Sequence, residues 1–435
     1  MPSGFDDVSP AQITPAPTHS GARIQSLDVV RGVALLGILL MNIIGMGMLS
    51  SAYFHPLGGL AGAATSSLDQ CFWFVSELLF EGSMRALFSM LFGAGVVLFT
   101  ATKSGLLHYR RTFWLFCFGL LDAYLLLWSG DILLVYALAG ALLYFARQAS
   151  VRRLVALAVI LLVLLGLVRA ASVYGLGESK VAHERVAAAA IAGTPAGPED
   201  VRFAADWSEF SADVLKPETA QRAEIEARRG GYSQAFAWNA GVVTNTLLFV
   251  VPVFMFWDAL LMMVIGMALY RLRILQGDRS ERFYLVLAAC GIGFGLCINS
   301  YELNQALGSD YAILSTFGYI QPTYDLGRLG LALGYMGLII WWLKKGFAQK
   351  MLKRLAAVGR MALTNYLLHS LIALFLFTGT GLSLVGHLDR SQLYSIVLGI
   401  WVFQLWFSPW WLSRHPQGPM EAIWRRLTYG RDITG

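Results

Sequence analysis

The sequence predicts an all-α, polytopic integral membrane protein, and this prediction depends on its composition and on its long apolar runs. Hydrophobic residues make up 57% of the 435 residues and charged residues only 14%, whereas soluble proteins have about 25% charged residues. The mean hydropathy is +0.59. Several apolar runs exceed the roughly 18 residues that mark a bilayer-spanning helix. We therefore expect about ten transmembrane helices and one further re-entrant or interfacial segment.

The predicted crossings follow the apolar runs in chain order. They lie at 27–49, 68–102, 112–129, 131–146, 154–175, 241–270, 283–301, 325–343, 361–380 and 392–412. The second run is too long for one straight crossing, because its 35 residues span about 52 Å at about 1.5 Å each, against a hydrocarbon core of about 30 Å. The stretch FEGSMR, Phe80 to Arg85, therefore predicts a break. One piece would cross, and the other would lie at the interface or re-enter.

Basic residues at the ends of the apolar runs predict the orientation, since cytoplasmic loops are enriched in Lys and Arg. Arg23 precedes the first crossing, and the loop at 50–67 contains no Lys or Arg. Basic clusters then recur at every second loop: Lys103, Arg110 and Arg111; Arg147, Arg152 and Arg153; Arg271, Arg273, Arg279 and Arg282; Lys344, Lys345, Lys350, Lys353 and Arg354; and Arg414, Arg425 and Arg426. Both termini are therefore expected in the cytoplasm. The net charge of +6 indicates this topology rather than a nucleic-acid partner.

Four regions are predicted along the chain. Residues 1–22, rich in Pro, Ser and Thr, are expected to form a disordered cytoplasmic tail. Residues 23–175 and 241–435 form two transmembrane bundles, separated by an extracytoplasmic helical insertion at 176–240. The insertion contains HERVAAAAIAG and KPETAQRAEIEARRGGY, which predict short exposed helices between Pro and Gly residues.

Two short patterns predict packing rather than chemistry. The four cysteines lie in apolar stretches without a CxxC pair, so we expect free thiols and neither a disulfide framework nor a metal site. The glycines of LFGAGV, beginning at Leu91, follow no predicted strand. They therefore favour close helix packing over phosphate binding.

The first crossing contains an unusual polar stripe. Asp28, Arg31 and Asn42 share one face of the helix, with Asn42 about 16 Å along the axis from Arg31. In one interpretation, Arg31 is an interfacial anchor paired with Asp28, and Asn42 forms a helix–helix hydrogen bond. In the other, the stripe lines a polar route through the membrane, because polar groups at membrane depth tend to face cavities or partners.

Other ionisable residues fall within or beside apolar runs. Asp122, Asp258 and His369 are isolated at membrane depth, which is typical of a pathway, a proton relay or a site. Asn365 lies one helical turn before His369, on the same face. By contrast, we interpret Asp131 as a helix N-cap and Asp325 with Arg328 as an i, i+3 ion pair. Glu81 and Arg85 flank the predicted break, and either a structural or a functional role fits them.

The chain resembles the YeiB-like family (domain of unknown function 418). The resemblance begins at LDVVRGVALLGILLMNI and continues through RALFSMLFGAG, WSGDILLVYALAGALL, GRMALTNYLLHSLI, SPWWLSR and GPMEAIWRRLTYG. This family is in turn distantly similar to transmembrane acyltransferases, namely the acyltransferase-3 enzymes and the lysosomal heparan-α-glucosaminide acetyltransferase. Those enzymes also begin with an Arg-Gly pair on the first conserved helix. The heparan acetyltransferase has an Asn at the position of Asn42 and an active histidine in the following loop, where this chain has His55.

This resemblance implies a membrane acyltransferase of the bacterial cytoplasmic (inner) membrane. Acyl-CoA or acetyl-CoA would be the donor, and an extracytoplasmic glycan, lipid or small molecule the acceptor. The candidate catalytic residues are His55, Asn42, His369, Asp122 and Asp258, and the candidate cofactor-binding residues are Arg31, Arg85 and Asn365. A histidine would act as general base and Asn42 as an oxyanion donor. Membrane lipids are further expected partners, and a homodimer is left open.

Two other functions remain open. A proton-coupled transporter or a lipid or metabolite exporter would use Asp122, Asp258 and His369 as a proton relay. A partner-binding membrane protein would use the 176–240 insertion as its working surface.

Overall fold

The computed structural model describes residues 25–54, 66–309 and 311–430, and within these ranges the regular structure is helical. The helices in chain order are α1 Gln25–Gly47, α2 Ser50–Phe54, α3 Ser67–Leu79, α4 Ser83–Thr100, α5 Gly105–Leu120, α6 Leu133–Leu143, α7 Val151–Ala192, α8 Pro198–Leu215, α9 Glu218–Arg229, α10 Tyr232–Asn245, α11 Phe256–Arg271, α12 Glu281–Gly308, α13 Ile313–Thr316, α14 Tyr324–Lys345, α15 Gln349–Arg360, α16 Ala362–Phe377, α17 Arg390–Leu412 and α18 Pro419–Tyr429. Two π-helical segments, Leu121–Leu125 and Thr246–Met255, follow α5 and α10 directly. The predicted tail at 1–22 lies outside the described residues.

The helices confirm a multi-pass membrane protein. Among the described residues, seven helical stretches are long and apolar enough to cross a bilayer: α1, α3 with α4, α7, α10 with α11, α12, α14 and α17. The pair α15 and α16, bent by 78°, makes an eighth if it is one span. The predicted count of about ten is not confirmed, because α5 and α6, with 16 and 11 residues, are shorter than the crossings predicted there.

The predicted break after Phe80 is present as a short interruption, but α3 and α4 together form one membrane-length stretch, so the predicted re-entrant or interfacial piece is not confirmed there. Helix α3 ends at Leu79 and α4 begins at Ser83, and between them Gly82 has a left-handed φ of +64°. Glycine reaches this region without the steric cost that a Cβ atom imposes. The turn brings Glu81 and Arg85 to the start of α4.

Helix α1 lies at the centre of the molecule, where it contacts α4, α14, α15, α16 and α17. Two glycines permit its close approach to α15. A Cβ atom on Gly32 would lie 2.1 Å from the Leu355 carbonyl oxygen, and one on Gly359 would lie 1.9 Å from the Asp28 carbonyl oxygen. Small residues allow helix backbones in a membrane to approach this closely.

The 176–240 insertion differs from its prediction in two respects. HERVAAAAIAG is not a separate short helix, because α7 continues through it for 42 residues to Ala192, a length of about 63 Å. Helix α9 is a short helix as predicted, but it is not an exposed one, since Gln221, Glu224, Ile225 and Arg228 are buried. The run of alanines supports the long helix, because alanine has the highest helix propensity.

The close helix packing predicted for LFGAGV is found at Gly93 but not at Gly95, where a Cβ atom would meet nothing within 4 Å. All four cysteines are free thiols. Gly93 of α4 packs directly on the backbone of α11, where a Cβ atom would lie 2.0 Å from the Met263 carbonyl oxygen.

Candidate functional site

A cavity of about 330 Å³ lies beside the C-terminal half of α1. Its walls come from α1, α2, the start of α4, the loop between the first π segment and α6, α10 with its π segment, and α16; Arg228 of α9 also lines it. Most lining side chains are apolar, among them Met41, Trp238 and Phe254. The π segment Thr246–Met255 includes Pro252, and π-helical segments frequently occur at functional sites.

Three polar side chains from the sequence predictions line this cavity: Asn42, Glu81 and Arg85. Asn42 is 9% exposed, and its Nδ2 has no hydrogen-bond partner within the described ranges. Tyr324 joins the other two, since its hydroxyl donates to Glu81 Oε1 at 2.7 Å and accepts from Arg85 Nη2 at 3.0 Å. A buried donor without a partner costs free energy. Asn42 Nδ2 is thus a buried donor beside the cavity without a partner in the described residues.

Behind Arg85 lies a buried ionic network. Arg85 Nη2 is 3.5 Å from Asp258 Oδ2, and Arg169 Nη1 is 2.8 Å from Asp325 Oδ2. Arg328 Nη2 contacts both Asp258 and Asp325 and thereby joins the two pairs. The predicted Asp325–Arg328 pair is thus confirmed, but it is part of a larger network that joins α4, α7, α11 and α14. Asp258 belongs to this network and does not line the cavity.

Asp122 lies in the first π segment and is fully buried. Its carboxyl group faces the carboxyl group of Asp131 and the hydroxyl of Ser370. Ser370 lines the cavity, whereas Asp122 does not. The N-cap of α6 is Ile132 rather than the predicted Asp131, but Asp131 Oδ2 still accepts a 2.9 Å hydrogen bond from the Leu134 backbone N–H in the first turn of the helix.

His369 and Asn365 do not reach the cavity. The Gln404 side-chain amide Nε2 lies 2.8 Å from His369 Nε2, and it also donates to the Asn365 carbonyl oxygen at 3.1 Å. The Asn365 side chain donates to the Val358 carbonyl oxygen and to Ser408 Oγ at 3.2 and 3.1 Å. These contacts join α16 to α15 and α17. The two candidate catalytic residues His369 and Asn42 therefore do not meet at this cavity.

Arg31 and His55 are two further candidate residues, and neither is among the described side chains that line the cavity. Arg31 Nη1 is 3.3 Å from Asp28 Oδ1, which confirms the predicted pair, but Arg31 lies far from the cavity at the other end of α1. The polar stripe of α1 therefore does not open onto a single cavity. His55 lies outside the described residues, two positions after the cavity-lining residue Tyr53.

No sequence pattern predicted the closure that α9 forms at the end of α1. Arg228 Nη1 donates to Glu224 Oε1 at 2.9 Å and to the Met48 carbonyl oxygen at 2.8 Å, and Nη2 donates to the Met46 carbonyl oxygen. The Ser50 backbone N–H donates to the same Glu224 oxygen at 2.9 Å. Helix ends leave carbonyl groups without intrahelical partners, and a cation there satisfies them. Helix α9 therefore closes the cavity at the end of α1.

Replacing Arg228 with glutamine should release α9 from α1. The change removes hydrogen bonds to backbone carbonyls and leaves the buried Glu224 carboxylate without its cation, so local opening should become easier by about 1–3 kcal/mol. Hydrogen exchange along 218–229 measures this opening. Arg222→Gln is the matched control, because Arg222 pairs with Glu218 at the same i, i+4 spacing but is 73% exposed. Equal exchange in both variants would contradict the closure.

Comparison with known proteins finds relatives that align with the chain over nearly their whole length. Residues 269–431 match the family described as "Protein of unknown function (DUF418)". Over 412 residues the chain is 32% identical to the "Uncharacterized protein YeiB" of Escherichia coli (strain K12), which covers 93% of this chain and 95% of that protein. It is 27% identical over 422 residues to the "Uncharacterized protein YxaH" of Bacillus subtilis (strain 168), covering 95% and 96%. No solved structure matches the chain. By its similarity to YeiB over nearly the whole length of both proteins, the chain belongs to the DUF418 family.

Proposed function

We propose that this protein is a membrane acyltransferase. It would move an acyl group from cytoplasmic acyl-CoA or acetyl-CoA to an extracytoplasmic glycan, lipid or small molecule, in a bacterial inner membrane with both chain termini in the cytoplasm. One observation supports the proposal: a largely apolar cavity between the helices is lined by Asn42, whose side-chain amide is a buried donor with no partner among the described residues. Such a cavity suits an acyl chain, and such a donor suits the oxygen of its carbonyl group.

The proposed reaction is nucleophilic acyl substitution at the thioester. The acceptor hydroxyl or amine attacks the thioester carbonyl carbon, a C–O or C–N bond forms, the C–S bond breaks, and the acceptor proton is finally passed to the departing CoA thiolate. Asn42 Nδ2 would donate to the oxygen that becomes negative in the tetrahedral intermediate.

Replacing Asn42 with valine should lower the rate of acyl transfer by about 10²–10³-fold, as loss of one oxyanion donor does elsewhere. The measurement is release of free CoA from acetyl-CoA by the purified protein in lipid nanodiscs. Asn299→Val is the matched control. Asn299 is similarly buried, but its side chain donates to the Leu78 carbonyl oxygen at 2.9 Å outside the cavity. A wild-type protein that neither releases CoA nor gains thermal stability from millimolar acetyl-CoA would overturn the acyltransferase proposal.

A second candidate function is proton-coupled transport or export. The buried network of Arg85, Arg169, Arg328, Asp258 and Asp325 favours it, because ionisable groups in membrane segments often form ion or proton relays. In vesicles with an entrapped pH-sensitive dye, Asp258→Asn should abolish proton flux under an imposed pH gradient. Asp200→Asn, at a surface ion pair with Arg185, should leave that flux unchanged.

A further inference from the structure

Two carboxyl groups face each other beside the cavity. Asp122 belongs to the π segment at the end of α5, and Asp131 precedes α6. Asp122 is 0% exposed and Asp131 is 5% exposed, and their carboxyl groups are neighbours. Neither residue belongs to an ion pair within the part of the chain that the structure describes. Two adjacent carboxylates in a low-dielectric environment cannot both be ionised.

The groups that face this pair are neutral. They are the Tyr366 and Ser370 hydroxyls and the backbone N–H groups of Leu133 and Leu134. The nearby Asn239 amide is occupied, since its Nδ2 donates to the Ala123 carbonyl oxygen at 2.7 Å. Because these neighbours bring no cation, the pair itself must hold a proton to limit its charge.

The hydrogen bonds identify which carboxyl group carries that proton. Asp131 accepts from the Leu134 backbone N–H at 2.9 Å, from the Tyr366 hydroxyl at 3.3 Å and from the backbone of Leu133. Hydrogen bonds to a carboxylate stabilise its ionised form. Neither Asp122 oxygen accepts a hydrogen bond from a donor in the described ranges. Asp122 is therefore the member that would hold the proton, with its O–H directed at the Asp131 carboxylate.

We propose that Asp122 and Asp131 share a single proton and form a proton-storage pair that communicates with the cavity through Ser370. Ser370 lines the cavity and faces Asp122, and its Oγ has no hydrogen-bond partner among the described residues. During acyl transfer, the acceptor proton passes through the Ser370 hydroxyl to the pair, which becomes neutral. The same route returns it to the CoA thiolate after the C–S bond breaks. This role in proton transfer rests on the proposed acyltransferase function. The two carboxyl groups act in it through Ser370, as positioning residues.

Infrared difference spectroscopy tests proton sharing without any substrate. The band of a protonated carboxyl group should be present in the wild type and lost in Asp122→Asn, because Asp131 alone keeps its hydrogen-bond donors and stays ionised. In Asp131→Asn the band should remain and shift to higher frequency, because Asp122 loses its carboxylate acceptor. Asp258→Asn is the control and should leave the band unchanged, since Asp258 contacts Arg85 and Arg328. A band that persists unchanged in Asp122→Asn would overturn the proposal.

Ser370→Ala tests the connection to the cavity. It should leave the infrared band of the pair in place and lower CoA release by about 10²-fold or more, which is the usual contribution of acid–base catalysis. Full activity in Ser370→Ala would overturn the connection. If the infrared result holds and the wild type releases no CoA, the proton-sharing pair stands and the acyltransferase function fails.

Discussion

Replacing Arg328 with methionine should lower the free energy of unfolding by about 3–5 kcal/mol, which is the usual cost of removing one partner from a buried ion pair. Arg328 is 1% exposed and contacts both Asp258 and Asp325. Methionine fills much of the same volume, so the loss comes from charge rather than from a cavity. Asp258 would keep only Arg85 as a cation in this network, and Asp325 only Arg169.

The measurement is reversible unfolding in mixed detergent micelles, followed by circular dichroism. Arg185→Met is the matched control, because Arg185 forms a 2.9 Å ion pair with Asp200 but is 56% exposed. Exposed pairs contribute about 0–1 kcal/mol. If both variants lose the same stability, the buried network contributes no more to the free energy of unfolding than an exposed ion pair does.

The network also shows which contacts local sequence patterns can predict and which they cannot. The i, i+3 spacing of Asp325 and Arg328 predicted their contact, because both residues lie on one helix. Arg169 is far away in the chain, and helical periodicity carries no information on a contact between α7 and α14. The rule applied to Asp122, that an ionisable residue in an apolar run needs a partner, would have identified Arg169 in LLGLVRAAS as well. It would not have identified Asp325 as that partner.

The same limit explains the site predictions. Asn42 and Arg85 line one cavity because α1 and α4 pack together, whereas His369 turns toward Gln404 of α17. A position on a helix face indicates which residues point the same way, but it does not indicate which neighbour they meet. The burial of α9 could not be predicted from its sequence either, because its charged sequence is typical of a solvent-exposed helix. Its Glu224 and Arg228 are buried only because α1 ends beneath them.

Replacing Gly93 with valine should be among the most destabilising single changes in the chain, by about 3 kcal/mol or more. A Cβ atom at Gly93 would lie 2.0 Å from the Met263 carbonyl oxygen, and one at Gly266 would lie 1.9 Å from the Met90 carbonyl oxygen. The clashing atoms belong to backbone, so no side-chain rotation relieves them. Helices α4 and α11 would have to move apart.

That movement should also disturb the ionic network, because α4 carries Arg85 and α11 carries Asp258, whose charged groups are 3.5 Å apart. We therefore expect Gly93→Val to lower the free energy of unfolding by more than steric overlap alone predicts. The double variant of Gly93→Val and Arg328→Met should lose less stability than the sum of the two single losses. Gly95→Ala is the matched control on the same helix. A Cβ atom there meets nothing within 4 Å, and replacing a helical glycine with alanine is favourable by about 1 kcal/mol. Equal losses at positions 93 and 95 would show that the contact between α4 and α11 does not determine the effect.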